Sequence, residues 1–248
     1  MKHKSNIFCL TIVIGFSLTS SAWASSIGVN FSGTANDGSP SMCLPCNLAP
    51  SETAGVIPQA NWNNEAGDSG GPVTLVDNSG ANTTALVSWS ANNTWSGATA
   101  DTYPGDNNAI ILNNYLDGGT SGVAAEVQIT NVPYEFYDLY VYIQRDDCCS
   151  FSDYSANGIT QRVINSALSS GDGLNMASPT TGGSYVLFSG LTGNLDLLAD
   201  LDPSDSRSAI DAIQLVPTTP VPEPSTTWPI ALLGIGLAAA YVRKRLPN

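Results

Sequence analysis

The chain has 248 residues, 42% of them hydrophobic, with 21 acidic against 8 basic side chains and a net charge of −13. That is long and apolar enough for a real core, which excludes disorder throughout. Over residues 25–221, 20 acids face only Arg145, Arg162 and Arg207, a formal charge of −17 without a single lysine. Such a surface repels phosphate backbones and anionic headgroups, so nucleic acid is not expected as a partner.

The N-terminus opens with the basic stretch Met1-Lys2-His3-Lys4, continues with an apolar run from Ile7 to Leu18, and reaches Ala22-Trp23-Ala24. This order is that of a signal peptide read by the Sec machinery and cut by signal peptidase after Ala24. Residues 1–24 are therefore expected to leave, and the mature chain to begin at Ser25.

From 25 to 216 no long helical period appears. Short runs of period-two alternation alternate with Gly, Asn, Asp, Ser and Pro clusters, the texture of a β-sandwich. Strands are expected at Ile27–Phe31, Val73–Val76, Ala85–Trp89, Glu126–Thr130, Tyr137–Ile143, Ile159–Asn165, Tyr185–Ser189, Asn194–Leu198 and Ala209–Val216. In the fifth, Tyr137, Leu139, Val141 and Ile143 share the face expected to meet the core, and Asp138, Tyr140 and Tyr142 share the other. A short helical turn is expected over Asn107–Leu116. About nine strands in this length fit one jelly-roll sandwich.

Four cysteines remain after export: Cys43, Cys46, Cys148 and Cys149. An even number in an oxidising compartment points to disulfides, with three pairings open. Zinc is disfavoured, because adjacent Cys148 and Cys149 lack the two-residue gap that lets two thiolates approach one metal.

Gly67-Asp68-Ser69-Gly70-Gly71-Pro72 matches the segment around the nucleophilic serine of trypsin-like proteases. The serine of that chemistry needs an imidazole to take its proton, and the only histidine is His3, inside the signal peptide. The segment is read instead as a glycine-rich turn entering the strand at Val73. Without histidine or lysine, the mature chain keeps only paired carboxylates as a common catalytic device. No pair stands out, so no catalytic residue is assigned and an enzyme is not expected. A carboxylate-dependent, glycan-active enzyme on the same sandwich is the competing reading.

Sugar binding suits the composition better, since aromatic rings stack on pyranose faces while Asp and Asn serve the hydroxyls. Trp62, Trp89, Trp95, Tyr103 and Tyr154 are the candidate rings, with Trp95, between Asn92-Asn93-Thr94 and Ser96-Gly97, expected to stand exposed on a loop. No cofactor is expected. A structural calcium is the one cation considered, held by Asp196, Asp200, Asp202 and Asp205 or by Asp146, Asp147 and Asp153, though neither run has EF-hand spacing.

A proline- and threonine-rich stalk occupies 217–221. Beyond it come Pro222-Glu223-Pro224, an apolar stretch from Thr226 to Val242, and Arg243-Lys244-Arg245. Seventeen helical residues at about 1.5 Å each reach about 26 Å, close to a hydrocarbon core of about 30 Å. Gly234 and Gly236 lie inside this stretch with no preceding strand and read as membrane-helix glycines. The basic cluster stays on the cytoplasmic side, which puts the sandwich outside the inner membrane, and Trp228 suits the outer interface.

Triplet, helix and basic cluster together resemble the PEP-CTERM sorting signal of Gram-negative bacteria. The resemblance implies recognition by a membrane-embedded exosortase that cuts near the triplet, so that the protein moves from the inner membrane to the cell surface or the extracellular polysaccharide matrix. The order of Ile27-Gly28-Val29-Asn30-Phe31, Ala54-Gly55-Val56, Asn61-Trp62-Asn63-Asn64, Tyr115-Leu116-Asp117-Gly118, Tyr137 to Tyr142 and Ala209-Ile210-Asp211-Ala212-Ile213-Gln214 is similar to ectodomains that carry such tails. That second resemblance implies a galactose-binding-like sandwich with a binding or structural role in adhesion or the biofilm matrix.

Overall fold

The computed structural model describes residues 25–32, 47–96, 106–112, 114–118, 123–145, 151–165, 174–200 and 208–218. The signal segment, the four cysteines, Tyr103 and the sorting tail lie outside the described residues. Among the described residues, no helix is long and apolar enough to cross a membrane.

The fold is mainly β. In chain order the elements are β1 (Ile27–Ser32), β2 (Asn63–Ala66), β3 (Ser69–Val76), β4 (Asn82–Ser90), β5 (Asn93–Ser96), α1 (Asn107–Leu112), β6 (Asn114–Asp117) and β7 (Ala125–Thr130). They continue with β8 (Tyr137–Tyr142), β9 (Phe151–Ala156), β10 (Ile159–Ile164), β11 (Tyr185–Leu191), β12 (Leu195–Asp200), β13 (Ala209–Ile210) and β14 (Ala212–Pro217). A five-stranded sheet, β11-β8-β14-β1-β2, faces a six-stranded sheet, β10-β9-β12-β7-β4-β3, and β13-β6-β5 form a small third sheet.

The main core is filled by the inward sets of both large sheets. Ile27, Val29, Phe31, Leu139, Val141, Ile213 and Leu215 come from one, and Leu75, Val87, Val127, Ile129 and Leu197 from the other. Tyr137, Leu139, Val141 and Ile143 are all 0% exposed, as the alternation of that strand requires. Trp89 joins this core, its ring 5.9 Å from Phe31.

A second apolar cluster lies on the opposite face of the five-stranded sheet. There Leu48, Ala54 and Trp62 from the 47–62 segment and Ile110, Ile111 and Leu112 of α1 cover Tyr142 and Ala212. This cover explains why every residue of β1 is buried, although one of its faces points away from the main core. Asn64 fastens the segment: its Oδ1 accepts from Asn30 Nδ2 at 3.0 Å and from the Leu48 amide at 3.1 Å.

Three expectations change. The helical turn stops at Leu112, and Asn114–Asp117 form β6, because their backbone groups pair with β5 on one side and β13 on the other. The strand expected over Ala209–Val216 is broken at Asp211, which passes the chain from the third sheet to the five-stranded one. Its amide donates to the Tyr142 carbonyl at 2.9 Å and its carbonyl accepts from the Phe31 amide at 3.0 Å. The glycine-rich turn before Val73 is already strand from Ser69, with a register shift between Gly70 and Val73.

Candidate functional site

Two outward faces and one buried cluster carry the polar and aromatic groups that chemistry needs. On the six-stranded sheet, Ser88 and Ser90 of β4 point the same way as Gln128 and Glu126 of β7, to which they are paired in register. With Trp89 they line a depression of about 120 Å³. At ~30 Å³ each it holds about four waters, well below the ~300 Å³ at which small-molecule pockets begin. Glu126 is the only carboxylate among its five lining residues, and its Oε1 accepts from Gln128 Nε2 at 2.5 Å.

The glycine-rich protease-like segment serves Trp89 next to this depression. The Gly67 carbonyl accepts the indole N–H at 3.0 Å, and a Cβ on Gly70 would come within 2.3 Å of the ring. Ser69 itself is exposed and donates to Asp68 Oδ1 at 3.1 Å, a contact that supplies no proton acceptor of imidazole strength.

The other outward face belongs to the five-stranded sheet and is aromatic. Tyr142 is paired with Tyr185, and Tyr140 lies two residues back on the same face. The Tyr185 ring lies 5.8 Å from that of Tyr140 and 6.4 Å from that of Tyr142. Tyr142 is locked in place: its hydroxyl donates to Gln214 Oε1 at 3.0 Å and accepts from the Val56 amide at 2.8 Å. Burial pushes its phenol well above the usual tyrosine range. Tyr140 and Tyr185 are half-buried, and their hydroxyls make no hydrogen bond among the described residues. Burial also raises the Tyr140 phenol, with Asp138 and Tyr185 adding to the effect. Val56 and Leu174, like Tyr140 and Tyr185, pack against the second apolar cluster, and exposed Met176 is bridged to Tyr185.

The third group is internal. Arg145 and Asp211 are both 0% exposed, and Asp211 Oδ2 accepts the Gln144 amide at 2.5 Å. Burial pushes the Asp211 carboxyl well up, against the lowering effects of that amide and of the Arg145 guanidinium. The Tyr154 hydroxyl donates to the Ala209 carbonyl at 2.8 Å in the same region. These groups hold the strand switch between β13 and β14 and are closed to solvent.

The expected sugar-stacking residues are therefore not brought together. Trp62, 4% exposed, is the lid of the second apolar cluster, and Tyr154, 0% exposed, is a core residue of β9. Their ring faces are consumed by packing. Trp95 is not on a loop: it is half-buried in β5, opposite Tyr115. Tyr103 lies outside the described residues. What the sequence reading missed is Tyr140 with Tyr185. The outward set Asp138, Tyr140 and Tyr142 held the signal, two aromatics where a solvent face is ordinarily polar.

For calcium, Asp196 is exposed and Asp153 lies 3.8 Å from Arg162. Among the described residues no three His, Cys, Asp or Glu side chains gather into a metal-binding group. The side chain of Asp200, with Asp146, Asp147, Asp202 and Asp205, lies outside the described residues. Of the processing residues only Ser25 is described; Ala22, Ala24, Pro222, Glu223, Pro224, Arg243, Lys244 and Arg245 are not. The Ser25 carbonyl accepts from the Tyr134 hydroxyl. Burial tends to raise the nearby Asp77 carboxyl, but hydrogen bonds from Ser79, Ala81 and Ser25 outweigh it and hold that carboxyl below its ordinary value.

Comparison with known proteins bears on the tail. Residues 220–245 match the PEP-CTERM protein-sorting motif. The chain carries an exosortase sorting signal. The match takes in the Pro222-Glu223-Pro224 triplet, the apolar stretch and the basic cluster, and it implies export, a membrane-anchored C-terminal tail and exosortase as processing partner. No curated protein matches the chain. Among solved structures it is similar to the crystal structure of protein YXIM from Bacillus subtilis, with 13% identity and a TM-score of 0.39 over 78% of this chain. The chain spans 40% of that protein's length.

Proposed function

We propose that this exosortase-sorted protein is a non-enzymatic module of the cell surface or extracellular matrix, and that its galactose-binding-like sandwich holds a neutral polysaccharide on the face of Tyr140 and Tyr185. The observation that carries this reading is the pair of half-buried rings whose hydroxyls have no partner among the described residues. A ring fixed from below and open above presents an apolar face to pyranose C–H groups and a hydroxyl to the sugar's own hydroxyls. Tyr142, tied to Gln214 and Val56, keeps that platform rigid, so little side-chain freedom is lost on binding. The charge of −17 over 25–221 favours a neutral glycan over an anionic one.

The test is affinity electrophoresis and calorimetry of the purified mature protein against neutral and anionic polysaccharides. Tyr140→Ala combined with Tyr185→Ala is expected to weaken binding to a neutral glycan about ten- to a hundredfold, since each ring contact is worth ~0.5–1.5 kcal/mol. Tyr142 is left intact because it belongs to the packed cluster. Wild-type binding to anionic glycans alone, or a double variant that binds like wild type, defeats the proposal.

A further inference from the structure

Both ends of the sandwich leave from the same place. β1 and β14 are adjacent antiparallel strands near the centre of one sheet, with Ile27 opposite Leu215, so the chain enters β1 where it departs from β14. The connection between β7 and β8 fastens both ends: Tyr134 donates to the Ser25 carbonyl, and the Thr218 amide donates to the Phe136 carbonyl at 3.0 Å. The Asp77–Ala81 turn lies at the same end, where the Asn78 amide donates to the Ser26 carbonyl at 2.9 Å.

This fixes how far the folded body stands from its sorting signal. From Thr218 to Pro222 there are four residue steps, which at ~3.3–3.6 Å each reach ~13–14 Å at most. Eight steps to Thr226, where the apolar stretch begins, reach ~26–29 Å at most. More slack is gained only by peeling β14 away from β1 and β8, its partners on both sides. Val216 and Pro217 are half-buried and paired with Asp138 and Tyr137, so they are the first to give, but Leu215 is 0% exposed in the main core and stops the process there.

We propose that the end of the sandwich built from the 131–136 connection and the 77–81 turn faces the membrane and the sorting enzyme embedded in it, and that the short reach from Thr218 to Pro222 sets how fast the tail is removed. The proposal rests on the sorting motif. The enzyme acts beside a folded body, so the membrane-facing end is itself part of what it must accommodate. That end carries Glu135 and Asp77 and no basic residue within 131–136 or 77–81, which disfavours flat adsorption to anionic headgroups.

The experiment follows tail removal of the full chain in native host cells by pulse-chase and intact mass. Unaltered chain tests the sorting reading alone: if its tail is never removed, that reading fails and the geometry is moot. Given normal processing, deletion of Thr218 and Thr219, both outside the matched motif, is expected to slow it at least tenfold, and insertion of six Gly/Ser residues after Thr218 to leave it unchanged or faster. Leu215→Asn in the deletion background, which loosens the end of β14, is expected to recover part of the lost rate. A photo-crosslinking side chain at Glu135 is expected to capture tagged exosortase, and one at Val123, at the opposite end, to capture none. A deletion chain processed at the normal rate, or equal crosslinking from both ends, overturns the proposal.

Discussion

Gly28→Ala is the sharpest single probe of how the tyrosine face is held. Gly28 sits in β1 under the 47–62 segment, and a Cβ there would lie 2.5 Å from Gln59 Nε2 and 2.7 and 2.8 Å from Trp62 Cε3 and Cδ2. Neither neighbour is free to move: the buried Gln59 amide accepts from Gln214 Nε2 at 2.8 Å, and the indole N–H donates to the Gln59 carbonyl at 3.1 Å while its ring packs edge-on to Tyr142, 6.1 Å between centroids. Overpacking of this kind costs ~1–3 kcal/mol, and a clamped neighbour places it near ~3 kcal/mol. For a domain of this size that is a fall in Tm of about 6–12 °C. Thermal unfolding by tryptophan fluorescence reads it directly. Trp62→Ala alone should cost ~3–5 kcal/mol, but combined with Gly28→Ala the total should fall short of the sum by ~1–3 kcal/mol, since the contacts with the ring vanish and Gln59 gains room to move. A single variant within about 2 °C of wild type, or strictly additive effects, would refute the claim that Gly28 exists to seat Trp62.

Two further predictions concern groups that do no catalysis. Asp211 has a folded-state pKa above its unfolded value, so the stability it contributes is fully present below about pH 4 and is lost as pH rises through the folded pKa. Asp211→Asn mimics the neutral acid. Relative to wild type, the variant is therefore expected to gain stability as pH rises above about 4 and until the folded pKa is passed, at up to ~1.4 kcal/mol per pH unit. Urea unfolding at several pH values checks this, and a constant difference between the two proteins would sink it. For Ser69, incubation with a fluorophosphonate probe and intact mass should show no adduct, at a rate indistinguishable from Ser69→Ala. Stoichiometric labelling would mean that a base other than histidine activates it.

Much of the fold was legible because alternation reports burial directly. The inward set of Tyr137–Ile143 read correctly, and most long strands appeared within a residue or two of their expected ends. Of the strands that escaped, Asn63–Ala66, Asn93–Ser96 and Asn114–Asp117 are short and polar, with partners far away in sequence, whereas Phe151–Ala156 pairs with β10 across the adjacent Asn157-Gly158 turn and was missed because its own residues are mostly polar. β2 is held by its parallel pairing to β1, a constraint that local pattern does not contain. The site was less legible for a related reason. Tryptophans such as Trp62 look like ligand rings when embedded in Asn-rich sequence, yet Asn63 and Asn64 are polar because they bind backbone: Asn63 Nδ2 donates to the Gly28 and Val76 carbonyls at 2.8 and 2.9 Å. Asparagine next to an aromatic thus marked a fastened strand, while the half-buried rings of Tyr140 and Tyr185 hid inside regular strands.

The position of those rings joins the binding reading to the sorting one. β8 starts at Tyr137, the residue opposite Pro217 at the membrane-facing end, and rises ~3.4 Å per residue, so Tyr140 stands ~10 Å above that end and Tyr142 ~17 Å. Tyr185, across from Tyr142, stands at the same height. In the proposed orientation the platform therefore faces sideways, above the membrane-facing end. A glycan lying along the cell surface can reach it while the tail is still in the membrane, and nothing about the face changes when the tail is cut. Binding affinity should accordingly be equal for the anchored and the released protein. A released form that binds more than about threefold tighter than the anchored form would show that the two are coupled, and would place the glycan at the membrane-facing end instead.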